Sequence, residues 1–386
     1  MKHLFILFIL LFSCLSIQAE TGISESLAKE AKSSMNKAVK YLLGKQHDNG
    51  AWGPYGGAPS ITAICITSLA TSPDSKDPEI LKALAKAEKY LLTFVQQDGS
   101  IWQPGEHGYP NYTTSVSTVA FYVLDRNKHK KTVLKARNFI KSSQFDATTG
   151  PSPVEEGGIG YGSTKTKSDL SNTQLALEAL YITRDVEDDA VTAEEKEATK
   201  KCWDNAKKFL NRCQALPTSN DLDWADTAPQ ADRGGFIYSP DRTKVKGEGL
   251  RVYGSMTYAG LKSMIYAGIL EDDKLIKEDP RVTSAIEWAG RNYTLDENPG
   301  VGPQGHFYYI HTFTKALHAY GEDTITDANG NKRYWRKDVL DKLLSIQKGD
   351  GHWVNENGRW MENMPEMVTA FSLMSMSYAI SKDNSF

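Results

Sequence analysis

Residues 37–52 read KAVKYLLGKQHDNGAW, and this stretch decides the fold. Its alanine, tyrosine and leucine are spaced as one narrow apolar stripe along a helix. Gly50 then ends the helix, because glycine accepts backbone angles that other residues resist. We expect Trp52 to fold back over the helix end and the side chain of Gln46 to satisfy free backbone groups there.

The same pattern recurs five more times along the chain. Each copy joins an apolar and aromatic helix to a Gln or Asn and then to a turn that contains Gly, and the Gln or Asn positions are Gln96, Gln144, Gln214, Asn292 and Gln347. The fifth copy is degenerate. The successive intervals from Gln46 onward are 50, 48, 70, 78 and 55 residues, so the longer units carry inserts. The clearest inserts are the polar segments 185–189 and 217–233, which we expect to be loops between helices.

A second, more apolar helix follows each copy. These segments lack a broad polar face, as expected for an inner ring of helices that an outer ring screens from water. They are 61–70, 115–124, 169–181, 255–267, 308–320 and 367–380. The sequence therefore predicts an all-α fold, an (α/α)6 toroid of six helix-pair repeats, in a single domain that spans residues 30–382.

The motif at 37–52 resembles the QW motif of squalene-hopene cyclases. The chain from about residue 30 resembles the prenyltransferase and squalene-oxidase repeat family. Segments 169–173, 253–260 and 296–300 resemble exported bacterial members that contain only the toroid. The resemblance implies a fold rather than a function, since relatives include terpene cyclases, protein prenyltransferases, thioester-bearing complement domains and cobalamin carriers.

The catalytic motifs of these relatives are not found in the sequence. The resemblance to squalene-hopene cyclases would imply an Asp-x-Asp-Asp proton donor, but the acidic clusters at 185–189 and 271–273 lie in charged loops and are interpreted as solvated. Prenyltransferases hold zinc through Asp, Cys and His, and no cysteine of the mature chain has such companions. No metal or cofactor is predicted, and the sequence leaves open whether the protein is an enzyme.

Candidate site residues come from the starts of the inner helices. In an α/α toroid these N-termini converge at one end, with their dipoles facing the mouth of a central pocket. The catalytic candidates are Asp169 and His311; the ligand-binding candidates are Asn172, Tyr253, Thr257, Tyr308, Tyr309 and Glu366. Each candidate also has a structural interpretation: a helix N-cap for Asp169, a core histidine for His311, interhelical packing for the tyrosines and first-turn charge for Glu366.

The N-terminus predicts export. A charged start, an apolar run over 4–12 and the small residue Ala19 are typical of a secretory signal covering residues 1–19, and the run is too short for a membrane span. A lipid anchor at Cys14 is the less favoured interpretation. Without the signal the chain has 44 basic (45 less Lys2) and 48 acidic residues. This balance argues against nucleic acid and anionic membrane surfaces as partners.

Cysteine spacing argues against disulfides. Three cysteines remain after signal removal, and Cys202 and Cys213 are eleven residues apart in one helical pattern. On a continuous helix this is about 16 Å, too far for a disulfide bond. Cys65 is expected to be a buried apolar residue.

Two functions remain open at the level of sequence. The favoured one is a non-catalytic exported toroid that binds an apolar or glycan ligand in a central pocket or a protein partner on its surface. The alternative is a terpenoid-cyclase-like or polysaccharide-active enzyme that uses residues at the inner-helix N-termini as acid and base.

Overall fold

Twelve long helices alternate along the chain, and the second helix of each pair is the more deeply buried. The computed structural model describes residues 21–105, 109–146, 148, 152–162, 167–187, 191–269 and 276–381. The helices are α1 (Glu25–Lys45), α2 (Pro59–Ala70), α3 (Pro78–Leu92), α4 (Pro110–Asp125), α5 (Lys130–Ser142), α6 (Leu170–Ile182), α7 (Ala193–Cys213), the one-turn α8 (Trp224–Thr227), α9 (Gly254–Ile269), α10 (Pro280–Arg291), α11 (His306–Tyr320), α12 (Trp335–Ile346) and α13 (Pro365–Ile380). A two-residue antiparallel pair, β1 (Ile325–Thr326) and β2 (Lys332–Arg333), precedes α12.

The inner helices form a closed ring. Each of α2, α4, α6, α9, α11 and α13 contacts the next, and α13 returns to contact α2. The outer helices α1, α3, α5, α7, α10 and α12 pack around them and bury one stripe each, whereas α2 buries ten of its twelve residues. The prediction of an (α/α)6 toroid is confirmed, while the domain limits 30–382 stay a prediction.

The repeated glutamine joins adjacent outer helices. The Gln46 side-chain amide donates to the carbonyl of Gly50 in its own turn and to the carbonyl of Ala83 in α3, each at 2.9 Å. Three further glutamines do the same, and each side-chain amide donates to a carbonyl of its own turn and to a carbonyl of the next outer helix. The acceptor in the next helix is Cys202 for Gln144, Arg281 for Gln214 and Ser34 for Gln347. Gln96 differs, because its amide donates to Phe94 and Trp102 near its own turn.

The turn glycine is required by a close backbone approach. Gly50 has φ +92°, and a Cβ there would lie 2.4 Å from the backbone oxygen of Lys86 in α3. At Gly234 the corresponding distance to the oxygen of Ser284 in α10 is 2.0 Å. Each turn therefore lies directly against the next outer helix, which a side chain would push away.

The tryptophan after the turn glycine covers the end of its own helix in the first and sixth copies, as predicted for Trp52. The indole nitrogen of Trp52 donates to the carbonyl of Leu42 at 2.7 Å, and Trp353 does the same to Leu343 at 2.9 Å. Both indoles are fully buried. These bonds satisfy carbonyls that a helix end leaves unpaired.

A threonine on the inner helix completes the unit. The backbone N–H of the second residue after the turn glycine donates to a threonine hydroxyl in five of the six pairs. These threonines are Thr62, Thr114, Thr173, Thr257 and Thr369. In these five pairs the two helices are thereby joined through a buried polar contact.

The predicted inserts contain short helices. Segment 217–233 includes α8 and a 3₁₀ turn at Gln230–Asp232, and a second 3₁₀ turn at Arg184–Val186 opens the other insert. Of the acidic clusters, Asp185 accepts bonds from Tyr122 and Arg126, and residues 188–189 and 271–273 lie outside the described residues. The signal segment 1–19 and Cys14 lie outside them too.

The cysteines agree with the sequence prediction. Cys65, Cys202 and Cys213 are free and buried, and the last two lie on the continuous helix α7. In the described part of the chain, no helix is long and apolar enough to cross a membrane.

Candidate ligand-binding cavity

A large cavity opens where the inner helices begin. Its volume is about 850 Å³, and all six inner helices contribute residues from their first two turns. These are Pro59, Ser60 and Ile61 of α2, Tyr112 and Thr113 of α4, Ser171 of α6, Ser255 and Met256 of α9, Tyr308 of α11, and Met367 and Phe371 of α13. The volume lies within the range of small-molecule sites in proteins.

The cavity wall is mainly aromatic. Nine aromatic side chains line it: Tyr55, Tyr109, Tyr112, Tyr161, Tyr238, Tyr253, Tyr308, Trp360 and Phe371. Burial raises the pKa of Tyr161 to about 12 and that of Tyr112 further, so both phenols are protonated at neutral pH. The wall therefore offers apolar ring faces together with a few neutral hydroxyl groups.

Strained and exposed residues form the rim. Tyr55, Trp360 and Met361 line the cavity, and their φ angles are +53°, +59° and +66°. All three are exposed, and the side chain of Tyr55 is fully in solvent. Non-glycine residues in this region cost about 1–3 kcal/mol each and cluster at binding sites. The rim thus exposes large apolar side chains to solvent, although such side chains are usually buried.

Asp169 caps helix α6 from beside the cavity. One carboxylate oxygen accepts the backbone N–H of Asn172 and the other accepts its side-chain amide, both at 2.8 Å. The carboxyl is almost fully buried and is not part of the cavity wall. Burial raises the pKa of Asp169, and hydrogen bonds from Asn172 and Tyr238 lower it. The effect of burial is the larger, and the resulting pKa is about 6.

Glu362 is the one carboxylate among the described residues of the cavity wall. Its oxygens accept the backbone N–H of Tyr308 at 2.7 Å and the side-chain amide of Asn355 at 2.7 Å. It therefore supplies an acceptor to the first turn of α11, where helix N–H groups lack partners. Burial raises its pKa above the usual value for a glutamate.

A smaller chamber lies deeper along the ring axis. Its volume is about 50 Å³, and Tyr112, Tyr308 and Phe371 line both it and the large cavity. The spacing of Tyr308, His311 and Lys315 on α11 places them on one face of the helix, from the mouth inward. Ser171, Gln174 and Glu178 follow the same spacing on α6.

Three buried charges meet in this chamber. Glu178 of α6 accepts hydrogen bonds from Lys262 of α9 and from Lys315 of α11, and Lys262 also donates to the Gln174 oxygen at 2.5 Å. Burial would raise the pKa of Glu178, but the two lysines lower it to about 2. Burial lowers the pKa of Lys262 to about 8. Across the described residues, no group of His, Cys, Asp and Glu is arranged to hold a metal ion.

Comparison with known proteins identifies relatives of the fold. A type II terpene cyclase from Scytonema, in complex with its product merosterolic acid A, superimposes with a TM-score of 0.54 at 14% identity, covering 92% of this chain and 99% of that one. A family 76 glycoside hydrolase, a mannosidase from Bacteroides thetaiotaomicron VPI-5482, also gives 0.54 at 14% identity, covering 91% and 98%. Another family 76 hydrolase, from a bovine strain of that species, gives 0.57 at 9% identity, covering 90% and 78%.

The chain therefore shares the α/α toroid fold of these terpene cyclase and glycoside hydrolase structures. In sequence, an 80-residue segment is 32% identical to a copalyl diphosphate synthase from Streptomyces cyslabdanicus. That match spans 20% of the toroid's chain and 15% of the synthase. No protein-family model matches the chain. Because the structural likenesses are low in identity, they establish the fold alone.

The toroid brings only some of the predicted site residues together. Tyr253 and Tyr308 line the large cavity, and His311 lines the chamber beneath it. His311 is buried and stacks on Phe371, and its pKa is well below the usual value because of burial and the nearby Lys315.

The remaining predicted residues lie outside both cavities. The Thr257 hydroxyl accepts a hydrogen bond from the backbone N–H of Phe236, and the Tyr309 hydroxyl donates to the carbonyl of Thr294 at 2.6 Å. Asn172 supports the Asp169 cap. Glu366, in the first turn of α13, is absent from both cavity walls. A ligand-binding role for these residues stays a prediction.

Several site residues of the toroid were missed by sequence reasoning. The rim residues and Glu362 lie in loops before the inner helices, where no periodic pattern points to a site. The charges of the chamber did leave a signal, because Glu178, Lys262 and Lys315 are each the single Lys, Arg, Asp or Glu of an otherwise apolar inner helix.

Proposed function

We propose that the protein is a non-catalytic binding toroid that holds a small, largely apolar ligand in its central cavity. The observation that carries the proposal is the 850 Å³ cavity with its nine aromatic wall residues. Ring faces pack against apolar molecules, and the buried phenols supply hydrogen bonds that orient them. The solved terpene cyclase from Scytonema binds a terpenoid product, which agrees with an apolar ligand in this type of ring.

The two buried carboxyls at the cavity support binding rather than turnover. A cyclase of the terpenoid type needs an acid that faces its substrate. Both oxygens of Asp169 are instead bonded to Asn172, and both oxygens of Glu362 are bonded to protein groups. Hydrolysis of a glycosidic bond normally uses two carboxyl groups that flank it. The described part of the wall supplies one.

Export is part of the proposal. The charged start and apolar run at residues 2–12 are typical of a secretory signal, so the mature toroid would comprise residues 20–386. Its ligand would then be met outside the cytoplasm.

One observation favours the enzyme alternative. With a pKa of about 6, Asp169 is half protonated near pH 6 and still about one-tenth protonated at pH 7. Tyr161 and Tyr238 interact with it and line the cavity. A terpenoid-cyclase-like or polysaccharide-active enzyme could use it as an acid. Turnover of a terpenoid or glycan by the purified protein that disappears in Asp169→Asn would establish this alternative and overturn the binding proposal.

Native mass spectrometry tests the binding proposal. Residues 20–386 are purified from the exported fraction, and any bound species is then extracted with solvent and identified. We expect a stoichiometric apolar ligand. A protein that stays free of ligand after incubation with host lipids and glycans would overturn the proposal and direct attention to a protein partner on the outer surface.

A matched pair of variants locates the ligand. Met367→Trp fills the cavity from α13, whereas Leu81→Trp adds the same side chain on an exposed position of α3. We expect Met367→Trp to lower ligand occupancy at least about tenfold, equivalent to about 1.4 kcal/mol. Leu81→Trp should leave occupancy unchanged, and equal loss in both variants would place the ligand elsewhere.

A further inference from the structure

The deep chamber carries more positive than negative charge. Lys262 and Lys315 are 1% and 5% exposed, and the carboxylate that they share, Glu178, is 6% exposed. The three groups together carry a net charge of +1. Burying an unbalanced charge is unfavourable unless a counter-charge or strong hydrogen bonds offset it. The chamber therefore has the electrostatics of an anion site.

Two polar atoms in the chamber wall point to a missing ligand atom. Among the described residues, Ser115 Oγ on α4 and His311 Nδ1 on α11 are buried and have no hydrogen-bond partner. Both side chains line the chamber and are more than nine-tenths buried. Buried polar groups in proteins are almost always paired with protein, water or ligand. A group that occupies the chamber would satisfy both.

The size of the chamber limits that group. A water molecule needs roughly 10–15 Å³ of such space, so a volume of about 50 Å³ admits a group of three to five water-sized units. A carboxylate fits this size and matches the single net positive charge. A phosphate dianion would be larger and would be left with uncompensated negative charge.

The position of the chamber connects it to the aromatic cavity. Tyr112, Tyr308 and Phe371 line both spaces, so the chamber adjoins the large cavity at these three side chains. The Tyr308 hydroxyl at this junction is bonded to Ser171 and Gln174, and Gln174 also accepts from Lys262. A polar path therefore leads from the cavity floor to the two lysines.

We propose that the chamber is a subsite for the carboxylate head group of an amphiphile whose apolar body occupies the large cavity. The inference rests on the proposed binding function and specifies its ligand class: a single carboxylate on an apolar chain or ring system. Lys262 and Lys315 hold the negative charge, and Ser115 and His311 supply the remaining hydrogen bonds.

The test compares a carboxylic acid with its matched alcohol. Binding of dodecanoic acid and 1-dodecanol to residues 20–386 is measured by calorimetry. We expect the acid to bind at least about tenfold more tightly, as one added charge-assisted contact would give. Equal binding of both probes overturns the subsite but leaves the binding function standing. Binding of neither probe contradicts the binding function itself.

Lysine variants assign the head group to the chamber. In Lys315→Met, Glu178 keeps Lys262 as its partner, so the remaining pair is neutral and folding is expected to persist. This variant should lose the preference for the acid and keep its affinity for the alcohol. Lys244→Met is the control, because that lysine lies 3.9 Å from the ring centre of Tyr238, outside both cavities. An unchanged preference in Lys315→Met overturns the assignment.

A measurement on the unmodified protein does not depend on the folding of variants. Dodecanoic acid labelled with ¹³C at its carboxyl carbon is titrated in the complex by NMR. Next to two buried ammonium groups, the pKa of the bound carboxyl should lie below that of the free acid. A pKa above that of the free acid would place the head group in the aromatic cavity and overturn the subsite.

Discussion

Glu178 is the counter-charge of two buried ammonium groups, and its removal should destabilise the protein. In Glu178→Gln both Lys262 and Lys315 lose their carboxylate partner, and an uncompensated buried charge costs about 3–5 kcal/mol. We expect a loss of that size in the free energy of unfolding, measured by urea denaturation. Glu287→Gln is the control, because Glu287 is exposed and its ion pair with Arg291 spans 4.0 Å. A difference between the two variants below 1 kcal/mol, as for a surface change, would contradict the buried-charge account.

Asp169 should make stability fall as pH rises through mildly acidic values. Its pKa is raised by burial from 3.8 to about 6, so between these values the folded state binds more protons than the unfolded state. Its contribution to stability is complete below pH 3.8 and is lost as pH rises through 6. Asp169→Asn keeps a capping side chain but cannot titrate. We expect urea denaturation from pH 4 to 6.5 to show a steeper fall for the natural protein, and parallel curves would refute this.

At the residue scale, contacts between neighbours in sequence could be predicted, and contacts between residues far apart in sequence could not. The capping role of Asp169 followed from its place before Ser171 and Asn172, and the structure confirms the cap. The pairing of Glu178 with Lys262 and Lys315 joins residues 84 and 137 positions apart, and no local pattern encodes such a contact. A single charge in an apolar helix indicates a buried partner without naming it.

At the scale of the helix pair, the turn glycine makes the sharpest prediction. Gly50→Ala places a methyl group 2.4 Å from the backbone oxygen of Lys86, so α3 must move. Gly56→Ala is a matched control, since φ is +87° there against +92° at Gly50 and no atom lies within 4 Å of the added Cβ. Both variants bear the strain of a positive φ, so their difference reports the contact with α3 alone. We expect Gly50→Ala to be the less stable by about 2 kcal/mol in thermal unfolding, and equal stabilities would contradict the packing account.

The helix pair was predictable because its signals are local. Gln46, Gly50 and Trp52 lie within seven residues of one another, and their contacts with the helix end follow from that spacing. The threonine contact was missed because its distance along the chain varies, from ten residues at Thr62 to 21 at Thr257. Loops of unequal length separate the two partners. Thr257 was predicted as a ligand residue because it lies near the start of an inner helix, and that prediction did not include its contact with Phe236.

At the scale of the whole molecule, a polar contact joins the end of α12 to α1 where the ring closes. Gln347 donates to the Ser34 carbonyl at 3.0 Å, and the Ser34 hydroxyl donates back to Gln347 at 2.8 Å. We expect Gln347→Ala to lower the unfolding free energy by about 2 kcal/mol and to unfold the molecule in one step. Far-ultraviolet and near-ultraviolet circular dichroism should give coincident transitions.

The matched variant for the ring contact is Ser345→Ala. The Ser345 hydroxyl is exposed and donates within its own helix, to Lys342. This change should stay within about 0.5 kcal/mol of the natural protein. Separate transitions in Gln347→Ala, or early hydrogen exchange confined to α1 and α12, would show that the ring opens at this contact without global unfolding.

The ring could be predicted because six copies of one pattern can share a core only by stacking or closing. The cavity at its mouth could not be predicted in the same detail. Its rim is built from loops such as 54–58 and 360–364, whose sequences differ from one copy to the next. The sequence predicted a site at the N-terminal ends of the inner helices, and the three-dimensional course of these loops determines which side chains line the cavity there.

Because the ring closes between helices that are far apart in sequence, closure also limits when the chain can complete its folding during synthesis. Ser34 and Gln347 are 313 residues apart, so a nascent chain can complete one flank of α1 early but cannot complete the other until Gln347 has been synthesised. Until then the incomplete ring exposes the apolar faces of its unpaired helices, where chaperones or other copies of the chain can bind. Truncation before Gln347 should therefore harm the yield of folded protein as severely as damage to α1.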